Sequence, residues 1–280
     1  MVRSFYKNWE RKNVAVLKRI LTGFIIVVML ADATMAGPFE DGVAADKHGD
    51  YAEAAKLYRL AADQGHAQAQ YNLGHMAGNG QGVPQNYAEA MKWFRLAADQ
   101  GDLKAISSLG FMYANGQGVS QDYAEAMKWF RLAADQGNLK AISSLGFMYA
   151  NGQGVSQDYA EAMKWFRLAA DQRDLKARDV LGFMYVNGQG VPQNYAEGAK
   201  WYGLAAQEGF ADSQNNLGVL YTNGQGVPQD YVVAHMWFNL AAAQGYEVAV
   251  QNRDWAASKM TPDQIAEAQR LARAWKPTNG

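Results

Sequence analysis

From residue 67 onward the apolar positions follow two superposed rhythms. Within a short stretch they fall at steps of three and four, and the same residue types then return every 36 positions. Ala105, Leu109, Met112 and Tyr113 share one side of a 3.6-residue helix, so the spacing predicts a first helix here. Gly116 supplies the positive-φ residue that ends it, and Gly118 gives the turn a second permissive point. Asp122 then offers an N-cap with Glu125 in capping-box position. Ala126, Trp129, Phe130 and Ala133 form the apolar stripe of a second helix, and Gly137 closes it. One unit is helix, glycine loop, helix, glycine turn.

The unit is repeated in register. Trp93, Trp129, Trp165, Trp201 and Trp237 are each 36 apart, as are Leu73, Leu109, Leu145, Leu181 and Leu217. Residues 101–136 and 137–172 differ only at Asp102 against Asn138. An active site is normally assembled once, whereas a segment copied wholesale behaves as a building part. A pair of short helices cannot bury both apolar stripes alone, so the copies must stack on their neighbours. The small Ala105, Ala126, Ala133 and Ala134 let the backbones approach. The tryptophans are expected in the core, each indole N–H near a polar partner; a row of ligand-stacking rings is the alternative.

The array has distinct ends. Asp50–Gly65 reads as a lone second helix after a degenerate first helix around Asp41–Lys47. Beyond Gly245 the repeat gives way to a segment whose Thr261, Pro262 and Gln264 mark a strong helix start. The expected organisation is a signal peptide over 1–36, N-terminal capping helices over 37–66, five 36-residue repeats over 67–245, and C-terminal capping helices over 246–280.

The ordered pattern Ala105, Leu109, Gly110, Tyr113, Gly116, Gly118, Val119, Asp122, Ala126, Trp129, Ala133, Ala134 and Gly137 resembles the Sel1-like repeat, a relative of the tetratricopeptide repeat. The resemblance implies an all-α fold, an α/α right-handed solenoid with a concave groove. It also implies an adaptor role of the kind common in bacterial signalling, secretion and envelope assembly. A cysteine-rich branch of that family is linked to β-lactam binding, but this chain has no cysteine. The copies depart locally from the pattern at Ala77, Arg173 and Gly198, and Asn86 and Asn194 take the N-cap place of Asp.

Composition narrows the function classes. Hydrophobic residues are 49% and charged residues 19% of the 280, a globular composition. The net charge of −1 hides an asymmetry: residues 1–36 hold six Lys/Arg and two acids, leaving 20 basic and 25 acidic residues in 37–280. A mildly acidic body has no electrostatic footprint for nucleic acid. The basic N-terminal stretch, the apolar run from Ile20 to Ala31 and the small residues around Ala33 and Ala36 follow the export pattern. The run is shorter than the roughly 20 residues that span a bilayer. A periplasmic or secreted protein with no stable membrane insertion after cleavage is therefore expected. An uncleaved anchor, giving a membrane-tethered envelope regulator, is the competing reading. Without thiols, neither disulfides, thiolate metal sites nor cysteine catalysis are available.

Candidate chemistry is sparse. His48, His66, His75 and His235 have no metal-ligand spacing and are expected at the surface. The five NGQG loops follow helices and lack the strand and third glycine of a dinucleotide fold. Ser107, Ser108, Ser143 and Ser144 have no base nearby in the pattern, and paired carboxylates have no apolar pocket to shift one of them. No catalytic, cofactor-binding or metal site is expected. Opposite the packed side, the first helices carry three ladders. Lys104, Lys140 and Lys176 form one, Ser107, Ser143 and Asp179 a second, and Phe111, Phe147 and Phe183 a third. Together they suggest a groove for a protein or peptide partner, with apolar anchors and a charged selector. Alternatively the three Phe rings pack against one another between adjacent helices. A small-ligand binder or enzyme acting on β-lactam or muropeptide is the remaining reading.

Overall fold

The computed structural model describes residues 37–278, and among them every regular element is an α-helix. The expected signal peptide over 1–36 lies outside the described residues. The chain divides into two compact units, up to Asn86 and from Tyr87 onward. The first holds α1 (Pro38–Lys47), α2 (Tyr51–Asp63) and α3 (Ala67–Asn79). Pro38 opens α1 at the position where a missing N–H costs nothing, so the degenerate first helix is a full ten residues long. Gly42 of α1 lies against the Tyr58 ring, where a Cβ would sit 2.8 Å from Cδ1. Gln70 of α3 donates its amide to the Ala62 carbonyl at the end of α2 (3.1 Å). His66 caps α3 by accepting from the Ala69 N–H and stacks on Phe39 at 4.1 Å between centroids.

The second unit begins with α4 (Tyr87–Asp99) and continues through α5 (Leu103–Asn115), α6 (Tyr123–Ala134), α7 (Leu139–Asn151) and α8 (Tyr159–Asp171). It continues with α9 (Leu175–Asn187), α10 (Tyr195–Gln207), α11 (Ala211–Asn223) and α12 (Tyr231–Ala243), and ends with α13 (Glu247–Ala257) and α14 (Pro262–Ala274). From α4 to α13 each helix packs on the next, with α5 on α6, α7 on α8 and α9 on α10 forming the pairs, and α14 packs back on α12. The pairs share one contiguous core that runs from Ile106 to Tyr185.

Local chemistry sets these boundaries. Asp102, Asn138 and Asp174 each accept the N–H three residues on, at 2.9, 3.0 and 2.9 Å. The single difference between the two near-identical blocks is thus an exchange of one good N-cap for another. Gly116, Gly152, Gly188 and Gly224 end the first helices in the left-handed conformation. The second helices are capped as expected by Asp122 and Asp158. The reciprocal half of the expected capping box is absent there: Glu125 and Glu161 pair with Lys128 and Lys164 at 2.8 and 2.6 Å. Among the described residues a complete box forms at Thr261 and Gln264.

The Leu-Gly step of each first helix has a packing reason. Leu109, Leu145 and Leu181 are fully buried. The glycine after each lies face-on to an aromatic ring of the paired second helix. A Cβ on Gly110, Gly146 or Gly182 would meet Phe130, Phe166 or Tyr202 at 2.6, 2.7 and 2.6 Å. Gly198 stands where other copies have alanine because Val186, larger than the matching Ala114 and Ala150, fills that space; a Cβ there would be 2.5 Å from Val186 Cγ2.

One junction in the second unit is ionic. Arg178 replaces the buried Ile106 and Ile142 of earlier copies. Its Nε donates to the Ala170 carbonyl at 3.3 Å and its Nη1 to Glu208 Oε1 at 2.7 Å. Arg173, a non-glycine residue with φ of 68°, joins Glu208 at 3.0 Å. The hydrogen bond from Arg178, and then that from Arg173, hold the Glu208 carboxyl below its ordinary range. A depressed carboxylate adds stability that is present above its unfolded pKa and lost as pH falls through the folded one. Glu208→Gln should therefore cost about 1–3 kcal/mol at neutral pH by leaving a buried guanidinium poorly matched. That cost should shrink as the wild type is acidified below the ordinary Glu range. Arg178→Gln should cost less, because Gln70 and Gln214 already hold the equivalent carbonyls from that position. Urea midpoints at neutral and acid pH check both.

Candidate functional site on the first helices

The three ladders expected on α5, α7 and α9 do not share one open surface. The lysine ladder is exposed at Lys104, Lys140 and Lys176. The phenylalanine ladder is partly presented: Phe111 is 37% exposed, Phe147 half-buried and Phe183 48% exposed. The polar ladder is largely taken up between helices. Ser107 is buried, and Ser143 Oγ donates to Asp174 Oδ2 at 3.0 Å in the next repeat. Asp179 accepts from Ser213 Oγ at 2.7 Å and from Asn216 Nδ2 at 3.2 Å. Asn215, on the same row, accepts from Asn252 at 2.8 Å. Ser143 and Asp179 thus tie successive repeats together and do not present a charged selector to an open groove. Burial raises the Asp179 carboxyl above its ordinary range, with the two donors opposing the shift.

The phenylalanines pack neither freely nor on one another. Phe111 meets Phe130, and Phe147 meets Phe166, edge to face at 4.9 Å between centroids. Each exposed ring therefore rests on the buried ring of its own second helix, a favoured quadrupole geometry. Phe183 is the most exposed of the three. The lysine and phenylalanine ladders do interleave across repeats: Lys176 Nζ lies 5.2 Å from the centroid of Phe147. The resulting strip alternates cation and aromatic face, and it suits a partner segment with apolar and acidic groups.

Two expectations need correcting. His235 is 3% exposed, not at the surface; burial first, and Arg253 second, lower its pKa. The indole N–H of Trp93 reaches Glu89 at 3.3 Å, but those of Trp129, Trp165 and Trp201 are buried without an acceptor. The Glu four residues earlier, which serves Trp93, pairs with lysine in those copies.

Sequence reasoning passed over the outer side of the second helices. Leu96, Leu132, Leu168 and Leu204 are exposed there at the same place in each copy. Arg95, Arg131 and Arg167 donate to Tyr113, Tyr149 and Tyr185 of the following first helix, the first two at 2.6 and 2.9 Å. The 36-residue register already aligned these pairs, always 18 positions apart. Among the described residues no group of His, Asp and Glu is arranged to hold a metal ion, and no helix is long and apolar enough to cross a membrane.

The repeat geometry has matches. The Sel1 repeat family model matches residues 36–66, 67–102, 103–138, 139–174, 177–210 and 211–246, the first within the segment expected as a cap. The protective antigen c5321 of uropathogenic Escherichia coli, a crystal structure with an SLR fold, is 37% identical with a TM-score of 0.76. The alignment covers 84% of this chain and 52% of that one, so the chain spans about half the length of that relative. A Sel1 repeat protein from Oxalobacter formigenes is 32% identical with a TM-score of 0.68, over 73% of this chain and 84% of that one. Comparison with curated proteins returns no match. With helix pairs stacked at a 36-residue period and the family model matched along nearly all of that array, the chain belongs to the Sel1 repeat family as an α/α solenoid.

Proposed function

We propose that the protein is an exported, non-catalytic scaffold that binds a protein or peptide partner in the bacterial envelope through the face formed by its first helices. Sel1 repeat proteins generally serve as protein-interaction scaffolds. The observation that carries the reading is the near-identity of residues 101–136 and 137–172. Duplicating a unit lengthens a binding strip without disturbing a single reactive centre. Export rests on the basic stretch and apolar run of residues 1–36. The working strip is Lys104, Phe111, Lys140, Phe147, Lys176 and Phe183, with Ser107, Ser143 and Asp179 holding the helices beneath it in register.

Phe111 and Phe147 are poor probes of that strip because each supports a core ring. Phe183 and Lys176 are better, being exposed and outside the core. Tagged protein crosslinked in the envelope fraction is expected to capture a specific partner. The Lys176→Glu, Phe183→Ser double variant should lose that partner at least tenfold while its helical circular dichroism is unchanged. Equal recovery by a folded double variant would remove this face from the account.

A further inference from the structure

The arginine–tyrosine pattern of α4, α6 and α8 stops at α10, and α12 carries Asn239 in the same column. Where α4, α6 and α8 carry Arg95, Arg131 and Arg167, α10 has Gly203, and Tyr221 stands where the paired tyrosine would be. Nothing in the backbone requires this glycine. Its φ lies outside the left-handed region, and a Cβ placed on it would have no heavy atom within 4 Å. Glycine inside a helix is otherwise destabilising, so its presence needs another account. The space left by the missing arginine is a cavity of about 360 Å³ whose lining includes Lys200, Leu204, Gln207, Tyr221, Val227 and Trp237. That is the small end of the range for binding pockets, apolar and aromatic with one cation at the rim.

The neighbouring chain shows what such a surface receives. After α14 the backbone turns extended at Trp275, with φ −65° and ψ 141°. The Trp275 ring packs edge-on to Trp237 at 6.3 Å between centroids. Three residues on, Thr278 donates its N–H and its Oγ1 to the Gln207 carbonyl, at 2.8 and 3.1 Å. An aromatic anchor on Trp237 and a main-chain hydrogen bond to the end of α10 therefore already seat an extended segment beside the opening.

We propose that the Gly203 cavity is a second docking site, which takes a large aromatic side chain of an extended peptide against Trp237 and Tyr221, with an acidic neighbour of that side chain at Lys200. Lys200 suits this role because it is largely exposed and its contact to Glu197 is loose, at 3.5 Å. The site lies among α10, α11 and α12, apart from the strip on α5, α7 and α9, and stands or falls independently of it.

Fluorescence polarisation on the full chain tests it with two labelled, end-capped peptides, Gly-Asp-Trp-Thr-Gly and the same with Ser for Trp. The Trp peptide is expected to bind at least tenfold more tightly. Gly203→Arg restores the residue of three other copies and gives Tyr221 its partner, so it should fold normally and weaken that binding at least tenfold. Lys200→Glu should weaken it severalfold. The Lys176→Glu, Phe183→Ser variant should bind as the wild type does. No binding of the Trp peptide, equal binding of the Ser peptide, or undiminished binding to Gly203→Arg would overturn the proposal. Competition by N-acetyltryptophanamide at the same affinity as the peptide would also overturn it, pointing to a pocket for a free small molecule.

Discussion

Phe166→Ala is expected to lower the unfolding free energy by about 3–5 kcal/mol, the range for deleting a large buried ring. Phe166 is 0% exposed in the middle of the shared core. Its cost should sit at the upper end because the site cannot collapse. Gly146 beneath the ring has no side chain to move in, and Phe147 rests on the ring edge. The loss of one ring thus leaves a void and removes the support of a second. The same contact should resist filling from the other side. A Cβ at residue 146 would lie 2.7 Å from Phe166 Cε1, so Gly146→Ala forces the two helices apart. Urea denaturation measures both. Phe183→Ala, on the exposed ladder, should cost less than about 1 kcal/mol and serves as the surface reference.

Gly154→Ala is expected to be among the most damaging single-methyl changes in the loops, at about 2–5 kcal/mol. Two separate costs add there. The residue has φ of 74°, which a Cβ disfavours. The added carbon would also lie 2.6 Å from the carbonyl carbon of Tyr123 and 2.7 Å from its oxygen. Those atoms are backbone at the start of α6 and cannot rotate away, so the glycine loop would have to lift off the preceding repeat. Gly137→Ala separates the two costs. Its φ is 82°, yet nothing lies within 4 Å of its Cβ direction, so only the conformational cost of about 1 kcal/mol remains. The chain already contains that control, since Arg173 occupies the matching turn with φ of 68°. A Gly154→Ala midpoint no lower than that of Gly137→Ala would mean the loops do not hold successive repeats in contact.

The period and the glycines carried the architecture openly. A stripe at steps of three and four, a glycine past its end and Asp122 before the next stripe place helices where Leu103–Asn115 and Tyr123–Ala134 are found. The Thr261 cap was equally legible, because a capping box is chemistry within four residues. The working face was harder to read. A helical wheel separates packed from unpacked sides for one neighbour, but a first helix in a stack has a paired second helix and another repeat alongside. Ser143 and Asp179 lie on the side that meets the next repeat, and a single wheel treats that side as open. A signal existed in the departures: Asp179 appears one copy before Ser213, whose column is Ala69, Ala105, Ala141 and Ala177 in the earlier copies. Polar changes that arrive together one period apart mark a contact.

Side-chain pairing across 18 positions was similarly hidden, since neither Arg131 nor Tyr149 looks unusual alone. Seen together, Arg95, Arg131, Arg167 and Gly203 in one column make Gly203 conspicuous. His235 was misplaced for a different reason. Its column in other copies is Met91, Met127, Met163 and Ala199, and Met91, Met163 and Ala199 are themselves buried, so the register pointed inward while the residue type pointed outward.

The account rests on the claim that the 36-residue copy is an interchangeable unit, and removing one tests that most directly. Deleting residues 137–172 joins Gln136 to Arg173, the same pair of residue types that meet at Gln172 and Arg173. Every interface of the shortened chain is then remade from identical residues, apart from one N-cap, where Asp102 stands for Asn138. Equilibrium urea unfolding of this deletion should show a single cooperative transition, with a lower midpoint and a smaller m-value than the full chain, because one unit and one interface are gone. A deletion that fails to fold, or loses its cooperative transition, would contradict the account.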